Sequence, residues 1–282
     1  MSLPVPPPRP ASKTIAAPPP RVKTPAKKFE VKGWSSAGRG EKVILYAESG
    51  MGKTTLASTA PKPVFIGVDD GGARIKNPIT GEDLDRVEGV ESFADVRMAL
   101  AQEDLFGMAD TVTIDTVTCL QDWSVPYVLQ TIPAGKGADA GSIESYGYGK
   151  GYRHIYDAML GILALADKLT AKGKHVVLIA QSEVSAAPNA GSDNFLKEGP
   201  RLQHTNQGDV AGLYREWADH VCRISYQGIV VKDKKAVAGC TERAIFVQPE
   251  VWFYAKSRTI TEPVINFSKP TDDDLWKFMG IK

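Results

Sequence analysis

Short apolar runs alternate with polar, turn-rich stretches along most of this 282-residue chain. Residues 42–46 (K-V-I-L-Y) form the first run and lead into a Gly-rich turn. Residues 64–68 (V-F-I-G-V) form the second and are followed by D-D-G-G. Residues 111–115 (T-V-T-I-D) and 175–180 (H-V-V-L-I-A) are the third and fourth. Each has the length of a strand buried on both faces, with turn or polar residues at its C-terminal end. Between the third and fourth, Ile155, Met159, Ile162, Leu163, Ala166 and Leu169 recur at helical spacing and predict a helix over 150–172. The alternation predicts an α/β fold with a central, mostly parallel sheet flanked by helices. After residue 215 the texture changes. Residues 219–226, 243–247 and 251–258 predict an antiparallel C-terminal extension of the sheet, joined partly by the polar turn Lys232-Asp233-Lys234-Lys235.

Two long polar stretches interrupt this plan, at 133–151 (P-A-G-K-G-A-D-A-G-S-I-E-S-Y-G-Y-G-K-G) and at 183–208. Loops of that length in a compact domain are functional or disordered. The first thirty residues hold nine of the nineteen prolines, which fix φ and remove backbone donors, so residues 1–32 read as a disordered tail and 33–282 as the folded domain. Charge sharpens that division. Residues 1–39 carry eight Lys/Arg and one acid, a balance of +7, and the remainder carries 26 Lys/Arg against 32 acids, a balance of −6. A basic tail on an acidic body draws in phosphate-rich partners, docks a protein partner, or acts as a solubilising linker.

Composition excludes several classes. No apolar run is long enough for a membrane helix, and prolines stand where a signal peptide needs an apolar core. Cys119, Cys222 and Cys240 lack C-x-x-C spacing, which fits a reducing cytoplasm. His154, His175, His204 and His220 are scattered and make no zinc pattern.

Directly after the first strand, Ala47-Glu48-Ser49-Gly50-Met51-Gly52-Lys53-Thr54, followed by Thr55, fits the phosphate-binding loop pattern with Ala in the first Gly position. Gly50 and Gly52 let backbone N–H groups approach phosphates, Lys53 reaches the β- and γ-phosphates, and the Thr54 hydroxyl binds Mg²⁺. ATP and Mg²⁺ are the implied cofactors. Asp115, ending the third strand, suits the Mg²⁺ shell, although a strand-ending Asp also serves as a helix cap or turn residue. Asp69 and Asp70 end the second strand, where a carboxylate orients an attacking water or simply stabilises a D-D-G-G turn. Gln181 follows the fourth strand as a γ-phosphate sensor or an ordinary surface Gln. Lys256 and Arg258 project from one face of a strand, towards a phosphate of this subunit or its neighbour, or as a solvated face.

These segments resemble a known family. V-I-L-Y-A-E-S-G-M-G-K-T-T, P-V-F-I-G-V-D-D-G-G, T-V-T-I-D-T-V-T-C-L, S-Y-G-Y-G-K-G-Y, H-V-V-L-I-A-Q-S, Y-R-E-W-A-D-H-V and A-K-S-R, in that order from about residue 42 to 266, resemble the phage nucleotide-binding proteins of the RecA-like AAA group, relatives of phage single-strand annealing ATPases. The resemblance implies a RecA-like core with ATP at the strand C-terminal ends. It implies a catalytic carboxylate at Asp69, where the family has Glu, a γ-phosphate sensor at Gln181, and a trans contact by Lys256 and Arg258 that ties hydrolysis to homo-oligomerisation, as an arginine finger does. The two polar stretches take the places of DNA-channel loops, with Lys136, Lys150, Lys197 and Arg201 for phosphates and Tyr146, Tyr148 or Phe195 for base stacking. Both stretches could instead pack on a neighbour.

The leading expectation is therefore a phage ATPase that acts on single-stranded DNA in recombination, annealing or replication. A nucleotide-gated binding module with little hydrolysis is the alternative, motivated by Asp69. A small-molecule kinase would need an acceptor-binding lid, and the Lys256–Arg258 strand and the antiparallel C-terminal section fit that reading poorly.

Overall fold

The computed structural model describes residues 30–31, 33, 35, 37–135, 140–187, 191, 193–232, 236–239 and 241–281. Its contacts separate a unit over Met1–Ser36 from a compact unit over Ala37–Lys282, which contains every element named below. All but residues 30 and 31 of the expected 1–32 tail lie outside the described residues.

In chain order the compact unit begins with β1 (Lys42–Ala47), α1 (Lys53–Ser58), β2 (Pro63–Gly67), β3 (Asp85–Arg86), α2 (Phe93–Ala101), β4 (Thr111–Asp115), α3 (Val117–Thr131) and α4 (Lys150–Ala171). It continues with β5 (His175–Ala187), β6 (Phe195–Pro200), β7 (His204–Thr205), β8 (Gly208–Asp209), α5 (Val210–Trp217) and β9 (His220–Tyr226). The last elements are β10 (Ile229–Lys232), β11 (Ala236–Gly239), β12 (Arg243–Phe246), β13 (Lys256–Ser257), β14 (Val264–Asn266) and α6 (Asp274–Phe278). The main sheet runs β14-β12-β9-β1-β5-β4-β2-β3, with β13 also beside β9 and β6 beside β5. The expected α/β architecture of RecA-like type is present: a mostly parallel centre with antiparallel strands at one edge. Among the described residues no helix is long and apolar enough to cross a membrane.

The near-continuous apolar strands follow from burial on both faces. Along β1, Val43, Leu45 and Ala47 join a core with Leu56 of α1 and Trp276 of α6. Ile44 and Tyr46 point the other way, into a core built on α2, α3, α4 and α5. Helix α4 falls where its periodicity predicts, with Ile155, Met159, Ile162, Leu163, Ala166 and Leu169 all buried.

Three expectations are corrected. Strand β9 runs parallel to β1, with Val43 opposite His220 and Tyr46 opposite Arg223, so it belongs to the parallel core; its antiparallel partners are β12 and β13. Its alternation looks the same in either direction, since strand periodicity carries no polarity. Within 251–258 only Lys256–Ser257 is strand, because the chain first bridges Glu198 at Phe253. The stretch 183–208 is not a loop. Strand β5 continues seven residues past Ala180 and pairs with β6 from Ser182 opposite Pro200 to Ala187 opposite Phe195. The apolar anchors are few because this hairpin leaves the core: Val184 and Leu196 are exposed, and the backbone ladder supplies the order. Residues 233–235 of the expected polar turn lie outside the described residues.

Candidate nucleotide site

The turn between β1 and α1 is shaped at Gly52, whose φ of 91° lies in the left-handed region. A Cβ there would stand 2.6 Å from Arg243 Nη1 and 3.1 Å from Phe267 Cε1, so glycine is required on both counts. Arg243 donates to the Met51 carbonyl at 3.1 Å, and its guanidinium lies over the Phe267 ring. The C-terminal strands thus brace the loop from beneath. Arg243 escapes sequence reasoning, because nothing in R-A-I-F shows that β12 begins under a loop 192 residues earlier.

Lys53 is buried at the centre of this loop. Its Nζ donates to the carbonyls of Ala47 (3.0 Å) and Glu48 (2.8 Å) and to Gln181 Oε1 (3.1 Å). Burial lowers its pKa, and the charges of Asp115 and Asp69 partly restore it. Thr54 donates to Asp115 Oδ2 at 2.7 Å. Desolvation pushes the Asp115 carboxyl up to about 6, with Asp69 adding to the rise while Thr54 and Lys53 oppose it. The helix-cap reading of Asp115 is not needed, because Thr116 caps α3 by accepting from the Cys119 N–H.

A cleft of about 390 Å³ brings together Lys53, Thr54, Thr55, Asp69, Asp115 and Gln181, with Ser49, Gly50 and Gly52 on its loop side. Ala47, Glu48 and Met51 contribute carbonyls to Lys53 and Arg243 instead. Asp69 is exposed beside the cleft. Its Oδ1 accepts from the Gly71 N–H at 2.9 Å, and the Cys119 thiol approaches Oδ2 at 3.7 Å, so it stabilises its turn and faces the cleft at once. Gln181 is tied to the far side of the cleft. Its N–H donates to Thr118 Oγ1, its carbonyl accepts from the Arg201 N–H at 2.7 Å, and Thr118 donates in turn to the Arg201 carbonyl.

The donor set suits a nucleotide with a hard cation. A lysine, backbone turned by glycines and a hydroxyl–carboxylate pair are the groups that hold phosphates and Mg²⁺. Among the described residues no cluster of three or more His, Cys, Asp or Glu is arranged for a metal, so Thr54 and Asp115 would share the cation with phosphate and water oxygens.

Lys256 and Arg258 sit elsewhere. Lys256 and Ser257 pair with Val221 and His220, which are level with Ile44 and Val43 at the start of β1. That is roughly 10–15 Å below the loop at strand rise, so neither cation reaches the cleft of its own subunit. Lys256 donates to the carbonyls of Arg215, Glu216 and Ala218, which uses all three ammonium protons at the end of α5. Arg258 is exposed and pairs with Asp219 at 3.0 Å.

The DNA candidates scatter. Lys136 lies outside the described residues. Lys150 is exposed at the start of α4, Arg201 is exposed, and Phe195 is half-buried. Lys197 packs over the Tyr254 ring at 4.3 Å. Tyr146 is not a free stacking platform, because its hydroxyl donates to the Val128 and Ile132 carbonyls and its ring meets His154 edge-on. Tyr148 is fully exposed.

No curated protein matches the chain. Among solved structures, a KaiC-like protein from the hyperthermophilic archaeon Pyrococcus horikoshii OT3 aligns with a TM-score of 0.42 and 13% identity, covering 81% of this chain and 90% of that one. The AAA_24 family, described as an AAA domain, matches residues 39–259. That stretch runs from just before β1 to just past β13 and includes every residue of the cleft, and so the chain belongs to the AAA domain family.

Proposed function

We propose that the protein binds Mg²⁺–ATP and hydrolyses it while acting on single-stranded DNA as a homo-oligomer. The observation that carries this reading is the link from Lys53 to Gln181 and on to Arg201. A phosphate that draws Lys53 away from Gln181 perturbs the residue to which the β5–β6 hairpin is anchored. Binding energy at the cleft then reaches the surface that holds Arg201 and Phe195, which suits a polyanion partner. Asp69 orients the attacking water and Asp115 with Thr54 holds the cation. Arg258, the more available of the two candidate cations, serves a neighbouring subunit.

Hydrolysis by the purified protein, followed with Mg²⁺ across protein concentrations with and without single-stranded DNA, tests the reading. Stimulation by DNA that steepens with protein concentration is the expected result. A rate indifferent to both, despite ATP binding, removes the DNA and oligomer parts.

A second reading, a nucleotide-gated module with little turnover, is favoured by one observation: Asp69 already spends an oxygen on the Gly71 N–H. On that reading Asp69→Glu, with one more methylene of reach, raises turnover about tenfold, the effect of about 1.4 kcal/mol in the barrier. An unchanged rate in that variant would count against it.

A further inference from the structure

A second cavity, of about 760 Å³, opens beside the nucleotide cleft, between the β5–β6 hairpin, the start of α3, the segment 201–205 and α5. Its volume is in the range of small-molecule sites. Five separate stretches of chain line it: Thr118, Gln121 and Asp122 from α3, Glu183 and Ser185 from β5, Arg201 to Thr205 after β6, Arg215 from α5, and Tyr254 just before β13.

Arg201 and Arg215 are the cations of its wall, and Lys197 stands next to it on β6. The guanidinium of Arg215 lies 3.9 Å and the ammonium of Lys197 4.3 Å from the centre of the same Tyr254 ring. Gly199 makes the approach possible: a Cβ there would stand 2.9 Å from the Tyr254 ring and 3.7 Å from Arg215 Nη1. Burial and the neighbouring Arg215 charge together lower the Lys197 pKa, as expected for two cations held close without a counterion. Among the described residues neither Lys197, Arg201 nor Arg215 has a carboxylate within salt-bridge distance, whereas Arg223 on β9 pairs with Glu198 at 2.7 Å. An aromatic ring offsets part of such a cost, and an anion offsets more. Asp122 and Glu183 stand on the same walls. Carboxylates there accept hydrogen bonds from hydroxyl or amino groups.

We propose that this cavity binds a small phosphorylated molecule, its phosphate on Arg215 with the charge of Lys197 beside the wall in support, and its hydroxyl or amino groups towards Asp122 and Glu183. Occupancy communicates with the nucleotide cleft, since Thr118 and Arg201 line the cavity and are the two residues that hold the Gln181 backbone. Each ligand therefore changes the affinity of the other by the same factor. Binding at the cavity does not depend on the proposed hydrolysis or on DNA.

The test is calorimetric titration of the full chain with ribose 5-phosphate, in excess Mg²⁺–ADP, with ribose as the phosphate-free control. The expected result is saturable binding of ribose 5-phosphate alone, weakened at least about tenfold in Arg215→Gln and again in Lys197→Gln, the loss of about 1.4 kcal/mol for each charge-assisted contact. Thermal unfolding of both variants identifies any loss that comes from misfolding, and Lys197→Gln, away from the helix, keeps the question open to measurement if Arg215→Gln does not fold. No saturable binding up to about 10 mM, near the weak end of specific affinities, overturns the proposal. So does equal binding by all three chains. Dependence on Arg215 and Lys197 seen only with an oligodeoxythymidylate, and not with ribose 5-phosphate, overturns it in favour of a nucleic-acid contact.

Discussion

The two ends of the central sheet hold the same chemical group in two different conditions. At the C-terminal end of β1 the Lys53 ammonium rests on two backbone carbonyls and on the Gln181 amide, beside an open cleft. Towards the N-terminal end the Lys256 ammonium rests on three carbonyls at the end of α5. Burial lowers the pKa of both. What differs is the surroundings. Asp69 and Asp115 face Lys53, and Gln181 can be exchanged for a phosphate oxygen. Lys256 has Arg258 as well as Asp219 and Glu216 for neighbours and serves acceptors that a helix end leaves without intrahelical partners. A buried lysine marks a ligand site only where its present partners can be given up. The surroundings of Lys256 are scaffold: His220 bridges Ser257 and Glu41, and the Ser257 hydroxyl also accepts from the Ile260 N–H.

The sharpest way to break this contrast is to remove each ammonium. Lys53→Ala is expected to weaken ATP binding by at least about 100-fold, since a charge-assisted phosphate contact is lost in a buried site. A fluorescent nucleotide titration reads this directly, and retained affinity would undo the assignment of the cleft. Lys256→Met is expected to leave nucleotide affinity alone and to cost about 1–2 kcal/mol of stability through the orphaned α5 carbonyls, a fall of roughly 3–6 °C in Tm. Loss of nucleotide binding in that variant, with normal melting, would instead mean that Lys256 touches ATP, necessarily that of another subunit.

A pH experiment separates the ends more finely. Asp115 has its folded pKa raised to about 6 from an ordinary value of 3.8, so its ionised form is the one that the fold disfavours. The stabilising contribution is present below about pH 4 and is lost as pH rises through about 6. In the ligand-free protein at pH 7.5, Asp115→Asn is therefore expected to raise Tm by a few degrees, corresponding to about 1–3 kcal/mol, while removing Mg²⁺-dependent nucleotide binding. A lower Tm would show that the Thr54 hydrogen bond outweighs desolvation. The smallest effect belongs to Arg258→Ala, whose exposed pair with Asp219 is worth up to about 1 kcal/mol. Any change it makes in hydrolysis should vanish at low protein concentration if the contact is between subunits.

Local chemistry was legible in the chain wherever it sat in one stretch. The loop from Ala47 to Thr54, the apolar runs leading to Asp69, Asp115 and Gln181, and the stripe from Ile155 to Leu169 each carry their signal within a few residues, because phosphate binding, strand burial and helix periodicity are short-range constraints. The polarity of β9 was not legible, since alternation is identical in both directions. Nor was the β5–β6 hairpin, whose order comes from backbone pairing between faces that are largely wet.

The sequence by itself determined the α/β class, the chain order of β1, β2, β4, α4 and β5, and which side chains could handle a phosphate and a cation. Only the tertiary structure decided that Arg243 and Phe267 brace Gly52, that Lys256 caps a helix instead of facing its own cleft, and that Arg215 and Lys197 meet over Tyr254. Those contacts join segments about 40 to 220 residues apart. Their energies depend on burial and on the neighbours brought in by sheet order, and no local pattern of residues encodes either.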